Sequence, residues 1–288
     1  MISSHIQFKF FFNNSSKNFD HKYDGPRLYF TQSEKEKGEN LLTEFGLKKN
    51  DEWICIHNRD SLYLESQFPQ KNFSYHDYRN FSIVDLKVAA EFFANKGYFV
   101  FRAGNLQREK LETNNSKIID YANSKLKNDF LDVYLLAKSK FYLGSSSGPM
   151  NLSVSFKKPA YGVNYSLPRF VRSHIPYMFI FKRIKNLENG RLLNLKEILT
   201  SNFVEQIQNN KIKDFNHVEI NNTSEEILLL SSDILKEING AEVYDKADVK
   251  IQKDFWSLYK KYAKKGDLNL DNLKISPNFL KKNIDLLS

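Results

Sequence analysis

The chain has 288 residues, 41% hydrophobic and 14% aromatic, which is enough apolar material to bury one large core. Its 43 Lys and Arg residues outnumber 34 Asp and Glu, and the formal net charge of +9 favours an anionic partner such as a nucleotide, a nucleic acid, a lipopolysaccharide or a membrane surface, unless it serves solubility alone. The single cysteine, Cys55, excludes an internal disulfide framework and a zinc site built on cysteines, and we expect it to be a small core residue.

The first residues lack the basic and apolar regions of a signal peptide, and no apolar run is long enough to span a bilayer. We therefore expect a cytoplasmic location, with contact at the inner face of the membrane as the alternative. Residues 1–28 are rich in aromatic residues and Asn and show no clear period. We interpret them as a linker or as the remnant of an upstream domain.

From residue 29 onward, apolar periodicity predicts helices that alternate with short strands. The predicted helices cover 31–45, 82–96, 129–139 and 148–155, and the predicted strands cover 53–57, 98–101, 118–121, 141–143 and 159–163. We interpret 58–80 as a loop. This alternation is typical of βαβ units around a parallel sheet. We predict an α/β fold with a Rossmann-like parallel sheet and flanking helices over 29–240.

The pattern changes after residue 165. A capping box at Thr223 to Glu226 opens a long amphipathic helix. Two more helices are predicted near 248–264 and 276–286. We interpret 241–288 as a C-terminal helical extension that packs back on the core.

Polar residues follow several of the predicted strands, and ligands of parallel sheets bind beyond the carboxyl ends of the strands. The residues that this places at one edge of the sheet are His57, Asn58, Arg59, Asp60, Arg102, the segment Ser145 to Asn151, and Asn164. Arg59 suits a diphosphate, because its guanidinium donates two parallel charge-assisted hydrogen bonds, but it could instead form a surface pair with Asp60. His57 could be a ligand contact or a structural histidine, and Arg102 a second phosphate contact or an ion-pair partner of Asp132.

The turn Gly144 to Gly148 breaks a strand and opens a helix. Its small residues leave backbone N–H groups accessible, and the helix adds the positive end of its dipole, so the segment predicts an anion site. It lacks the Lys of a P-loop and the glycine spacing of a dinucleotide fold. It does match the nucleophile elbow of a hydrolase, with Ser146 at the centre, but only His174 and His217 lie downstream as candidate partners.

No cluster with metal-ligand spacing is present in the sequence, so we expect no metal and no cofactor. Residues 157–191 carry eight Lys and Arg, one acidic residue and several interleaved aromatic residues. Such a stretch could bind nucleic acid by stacking and charge, but it matches no nucleic-acid module. A groove for an anionic acceptor, or contact with a membrane surface, is an equally good interpretation.

Taken together, these segments resemble the nucleotide-sugar-binding half of GT-B glycosyltransferases, and most of all a family of bacterial glycosyltransferases distantly similar to fucosyltransferases. The resemblance covers about residues 28–285. The matching pieces are 28–31, 54–64, Tyr78-Arg79-Asn80, 97–104, 132–137, 141–149, Pro159, Asn164, 222–227 and 275–280.

The resemblance implies a nucleotide-sugar donor as substrate and a glycan or lipid-linked surface polysaccharide as acceptor, without a metal. It implies donor diphosphate or nucleotide contacts from His57, Asn58, Arg59, Arg102, Ser145, Ser146, Ser147, Gly148, Asn151 and Asn164, and a catalytic base at Asp60 or Glu65. Asn58 stands where the fucosyltransferase pattern often has a second arginine. The alternatives are a non-catalytic module that binds a sugar nucleotide or glycan, and a nucleic-acid-binding protein that uses 157–191.

Overall fold

The computed structural model describes residues 28–166, 178–209, 211–240, 244–263 and 273–288. The predicted linker at 1–28 therefore lies, apart from Leu28, outside the described residues. The strands are β1 (Trp53–His57), β2 (Phe99–Arg102), β3 (Ile118–Ile119), β4 (Tyr142–Gly144), β5 (Ala160–Tyr165), β6 (Met178–Phe181), β7 (Arg183–Asn186), β8 (His217–Ile220) and β9 (Lys274–Ile275). The α-helices are α1 (Gln32–Thr43), α2 (Leu62–Gln67), α3 (Val84–Asn95), α4 (Asp129–Lys138), α5 (Gly148–Ser155), α6 (Leu195–Thr200), α7 (Phe203–Gln208), α8 (Ser224–Ile238), α9 (Lys246–Tyr262) and α10 (Pro277–Lys282).

Seven strands form one sheet in the order β3-β2-β1-β4-β5-β6-β9, and every neighbouring pair is parallel. The first six positions of this order are those of a Rossmann sheet, in which the chain direction across the sheet reverses between strands 1 and 4. β7 and β8 form a separate antiparallel pair. The predicted Rossmann-like α/β fold with flanking helices is confirmed. Folds of this topology bind ligands at the carboxyl ends of the strands beside the reversal, which here are β1 and β4.

The helices begin where the sequence supplies caps. Thr223 and Glu226 form the predicted capping box at α8, and Thr31 and Glu34 form a further one at α1. Gly97, which follows α3, has φ +101°, a conformation that side chains with a Cβ rarely adopt, so it ends the helix before β2.

Two parts of the prediction differ from the structure. The predicted loop at 58–80 contains α2 and a 3₁₀ helix at Ser74–Arg79. None of the residues of α2 is buried, so the segment has no apolar period to reveal it. After residue 165 the prediction lacked β6 and β9, which pair with each other and extend the parallel sheet, so residues beyond 241 contribute a strand as well as helices.

The core is continuous across the strands and the helices that cover them. Cys55 is fully buried in β1, as predicted, and burial raises the pKa of its thiol far above the usual range, so it is an inert core residue. Among the helices that the structure describes, none is long and apolar enough to cross a bilayer.

Candidate functional site

The ends of β1 and β4 are tied together by the backbone. The N–H of Ser145 donates to the carbonyl of His57 at 3.1 Å, just after the register pair His57–Gly144. A Cβ on Gly144 would lie 2.0 Å from the same His57 oxygen, so only glycine allows this close approach. This contact between β1 and β4 holds Arg59 and the turn 144–148, here called the serine turn, at the same edge of the sheet.

Arg59 is 8% exposed and lies at this edge. Its Nη1 donates to the carbonyl of His76 at 3.3 Å and to the side-chain oxygen of Asn80, whereas its Nη2 is buried and has no hydrogen-bond partner. Burial, together with the like charge of Arg79, lowers the pKa of Arg59. A buried guanidinium nitrogen without an acceptor is costly in a protein interior, and an anion would offset that cost. The surface pair of Arg59 with Asp60 is not formed.

Arg79 is a second arginine at the ligand edge of the sheet, beside the serine turn. The sequence analysis did not include it among the site residues. Its Nη1 donates to the carbonyl of Ser146 at 3.5 Å, and its Nε is buried without a hydrogen-bond partner. It therefore links the 3₁₀ helix Ser74–Arg79 to the serine turn. A signal was available, because Arg79 lies within the Tyr78-Arg79-Asn80 piece of the resemblance.

The serine turn leads into α5, whose residues 148–155 are those predicted. Ser147 is the N-cap residue, but its hydroxyl contacts the carbonyl of Ser145 and the hydroxyl of Tyr142 and does not cap the helix. Pro149 has no N–H, and Gly148 is exposed with open space around it. The first turn of α5 thus offers amides that its own cap side chain leaves unsatisfied, and these favour an anion.

Three further predicted residues lie along this edge. The hydroxyl of Ser145 is buried without a hydrogen-bond partner. Asn164 has φ +54° at the end of β5 and exchanges hydrogen bonds with Asn222 at 2.7 and 2.6 Å, while its Nδ2 is buried and unpaired. Asn151 is exposed on the first turn of α5. The orphaned atoms of Arg59, Arg79, Ser145 and Asn164 therefore share one edge of the sheet.

His57 is 6% exposed, and its Nδ1 lies 2.9 Å from the carbonyl of Ala103. Because a carbonyl only accepts hydrogen bonds, Nδ1 carries the proton and Nε2 is the acceptor nitrogen of the neutral ring. Burial lowers its pKa to about 4 despite the bond to Ala103. His57 is therefore neutral at physiological pH, and its hydrogen bond to Ala103 stabilises the end of β1.

The lowered pKa of His57 predicts that the folded protein becomes less stable as the pH falls. The unfolded chain protonates His57 below about pH 6.5, whereas the folded protein does so only near pH 4, so the unfolded state binds more protons between these values. We expect the contribution of His57 to the free energy of unfolding to fall across this window by about 3 kcal/mol and to stay constant below it. Urea unfolding of the wild type and His57→Gln at several pH values checks this, because only the wild type should show this part of the decline. Equal declines would contradict the assignment.

Arg102 is fully buried, and the structure corrects its predicted role as a phosphate contact. Its Nη1 donates to the carbonyl of Glu109 at 2.6 Å and pairs with Asp120 at 3.3 Å. Its Nη2 donates to the side-chain oxygens of Asn58 at 3.1 Å and Gln107 at 3.0 Å. Four protein acceptors satisfy both terminal nitrogens of this fully buried guanidinium, and only its Nε has no partner, so Arg102 has a structural role.

The alternative interpretation, that Arg102 forms an ion pair, agrees with the structure, but the partner is not the predicted Asp132. The ion pair forms with Asp120, whereas Asp132 accepts from Tyr121 at 2.7 Å and pairs with Lys127. Asn58 belongs to the same network, since it also donates to the carbonyl of Phe81 at 2.9 Å and is 1% exposed.

The two carboxylates predicted as bases have structural contacts. Asp60 accepts hydrogen bonds from the backbone N–H groups of Leu62 at 2.9 Å and Arg108 at 3.0 Å. The first bond lies at the start of α2, and the second holds the loop after β2 against it. Glu65 is half-exposed and pairs with the side chain of Arg108. Hydrogen bonds from Ser61 and then Arg108 lower its pKa, so it is ionised at neutral pH. Of the two residues, Glu65 is the more exposed.

A second cluster of charges, also absent from the prediction, lies beside the arginines. Lys182, directly after β6, is 5% exposed and donates to the carbonyls of Tyr78 at 2.9 Å and Asn80 at 3.4 Å, and burial lowers its pKa. Burial also raises the pKa of Asp85 and Glu219, whose charges act on Lys182. Lys182 thus holds the segment that carries Arg79 against the sheet.

The basic and aromatic stretch 157–191 does not form one surface in its described part. Four of its aromatic residues, Tyr161, Tyr165, Phe179 and Phe181, are core residues. Arg183 is buried and pairs with the exposed Asp285, and Phe170 and Tyr177 lie outside the described residues. In the described part of this stretch, the aromatic faces that the nucleic-acid alternative requires are therefore buried. Within the described ranges, no group of three or more His, Cys, Asp and Glu side chains could hold a metal ion.

Comparisons with known proteins add the following. No protein-family model matches the chain, and no curated protein matches it. Among solved structures, the chain is similar to E. coli ADP-heptose LPS heptosyltransferase II, with 17% sequence identity and a TM-score of 0.38. The match covers 55% of this chain and 45% of that enzyme, so the chain spans less than half of the matched structure. A similarity of this degree does not indicate an activity.

Proposed function

We propose that this chain binds the diphosphate of a nucleotide sugar at the ends of β1 and β4 and acts as a glycosyltransferase toward a glycan or lipid-linked acceptor. One observation supports the proposal most strongly. Two guanidinium groups, Arg59 and Arg79, each keep a buried nitrogen without a hydrogen-bond partner beside the first turn of α5. Paired guanidinium groups and helix N–H groups are the donors that a diphosphate requires.

The main requirement of the proposed reaction at this site is to stabilise the negative charge on the leaving diphosphate. The bond between the sugar C1 and the diphosphate oxygen breaks, and the leaving nucleoside diphosphate keeps the electron pair. An acceptor hydroxyl oxygen forms the new bond to C1, and its proton goes to a base. Arg59, Arg79 and the α5 amides would stabilise the negative charge that develops on the leaving group. Glu65 is the candidate base, because it is ionised and half-exposed.

Titration calorimetry against GDP-, UDP-, ADP- and CMP-sugars tests the donor site. We expect a diphosphate sugar to bind and a CMP-sugar, which carries one phosphate, to bind less tightly. Arg79→Gln should weaken binding by about 10- to 100-fold, since one charge-assisted hydrogen bond contributes about 1.5–3 kcal/mol. Arg79 is the sharper variant, because Arg59 also holds the backbone at His76.

Arg191→Gln is the matched control, because Arg191 is an exposed arginine that pairs with Glu197 after β7. It should bind like the wild type. Failure of every nucleotide sugar to bind, or equal affinities for Arg79→Gln and wild type, would refute the donor site. Binding without slow hydrolysis or transfer of the donor sugar would instead favour the non-catalytic module.

A further inference from the structure

His76 lies close enough to both arginines of the donor site for their charges to act on it. The 3₁₀ helix Ser74–Arg79 carries it, and its backbone carbonyl accepts from Arg59 at 3.3 Å. The ring of Tyr75 covers it, with 4.0 Å between the ring centroids. The Nδ1 atom of His76 is buried and has no hydrogen-bond partner, as are Nη2 of Arg59 and Nε of Arg79. Three nitrogen atoms able to donate to an anion are thus left unsatisfied together.

The charges around His76 are mainly positive. Arg79 and Arg59 act on the ring directly, and with burial as the larger cause they lower its pKa to about 4. Lys182 approaches the same 3₁₀ helix through the carbonyl of Tyr78. The acidic groups nearby, Asp77 on the 3₁₀ helix and Glu205 on α7, which packs against it, are exposed.

We propose that His76 is a third ligand of the anion bound by Arg59 and Arg79, and that its imidazole takes up one proton as the anion binds. The inference rests on the anion site of the proposed function but not on the identity of the nucleotide. A dianion offsets the two guanidinium charges that disfavour the imidazolium, and it supplies an acceptor for Nδ1. The protonated ring then donates a charge-assisted hydrogen bond to the anion.

In this proposal, protonation of His76 and anion binding favour each other. The free site begins to bind a proton only near pH 4, whereas the occupied site binds it at higher pH. Between these two values the complex holds one more proton than the free protein, so affinity rises as pH falls, by at most about tenfold per pH unit. The proposal thus makes anion binding tighter in mildly acidic solution.

Sulfate is the probe for the test, because it remains a dianion throughout the range from pH 5 to pH 8. Nuclear magnetic resonance of the histidine side chains follows the titration of His76 in sulfate and in chloride at equal ionic strength. The resonance is assigned by its loss in His76→Gln. We expect it to titrate at clearly higher pH in sulfate. His217, on β8, where its ring contacts Phe203, is the reference whose resonances should match in both salts, and His57 is followed separately.

Calorimetry in buffers of different ionisation enthalpy supplies an independent readout, the number of protons taken up. The wild type should take up a proton on binding sulfate near pH 6 and should bind more tightly at pH 5.5 than at pH 7.5. His76→Gln, which can donate a hydrogen bond but cannot titrate, should lose both effects.

An unchanged His76 titration in saturating sulfate, or equal proton uptake in His76→Gln, would overturn the inference. The two proposals fail separately. Proton uptake with sulfate, without binding of any nucleotide sugar, would leave the role of His76 standing and refute the donor site. Binding of a nucleotide sugar without any change at His76 would do the reverse.

Discussion

Gly144→Ala is expected to destabilise the protein by about 3 kcal/mol or more, at or above the upper end of the usual cost of overpacking. The new methyl group would lie 2.0 Å from the backbone oxygen of His57 and 2.9 Å from the hydroxyl of Tyr142. A side chain can rotate away from such a contact, but the His57 carbonyl is fixed by the register of β1 and β4 and by its bond from Ser145. The strands must therefore separate at the ligand edge.

Gly148→Ala is the matched control, four residues further along the same segment. No atom lies within 4 Å of a Cβ at Gly148, and the residue begins α5. We expect it to leave stability unchanged or to raise it by up to about 1 kcal/mol through the lower entropy of the unfolded chain. Urea unfolding followed by circular dichroism compares the two variants. Equal midpoints for Gly144→Ala and wild type would show that the close approach is not required.

Arg102→Met is expected to lower the free energy of unfolding by about 3–5 kcal/mol, the cost typical of removing one partner from a buried ion pair. The variant keeps most of the side-chain volume but leaves Asp120 without its cation and Asn58 without its donor. Glu109 loses the donor to its carbonyl as well. The loop between β2 and β3 should loosen together with the residues that follow β1.

Arg191→Met provides the comparison, since Arg191 is also ion-paired but is exposed. An exposed pair contributes little, so this variant should unfold almost as the wild type does. Guanidinium chloride unfolding measures both. A difference of less than about 1 kcal/mol between the two variants would contradict the structural role of Arg102.

Arg59 and Arg102 show how far the sequence could predict the site. Both are arginines near the carboxyl ends of adjacent parallel strands, so the pattern assigned both to the same phosphate. The difference lies in their surroundings. Acceptors from Asp120, Gln107 and Glu109 satisfy the terminal nitrogens of Arg102 and leave only its buried Nε without a partner, whereas Arg59 keeps a terminal nitrogen without a partner at the edge. Such contacts come from a loop whose path has no local signature.

Arg79, His76 and Lys182 could not be found from strand ends alone. The first two lie on a 3₁₀ helix inside what the sequence indicates is a loop, and Lys182 follows β6, which the pattern did not predict. They reach the site only because Arg59 holds the backbone at His76 and Lys182 holds it at Tyr78.

The sequence by itself determined the order of the strands β1 to β5 and of the helices α3, α4 and α5, the parallel sheet, and the glycine and serine turn before α5. Apolar periodicity, glycine positions and capping residues act locally, so they can be read without the rest of the chain. Only the tertiary structure decided which polar side chains at the sheet edge are spent on structural partners and which keep unsatisfied donors. That choice depends on contacts between segments distant in sequence, and burial sets the energetic cost of leaving such a donor unpaired.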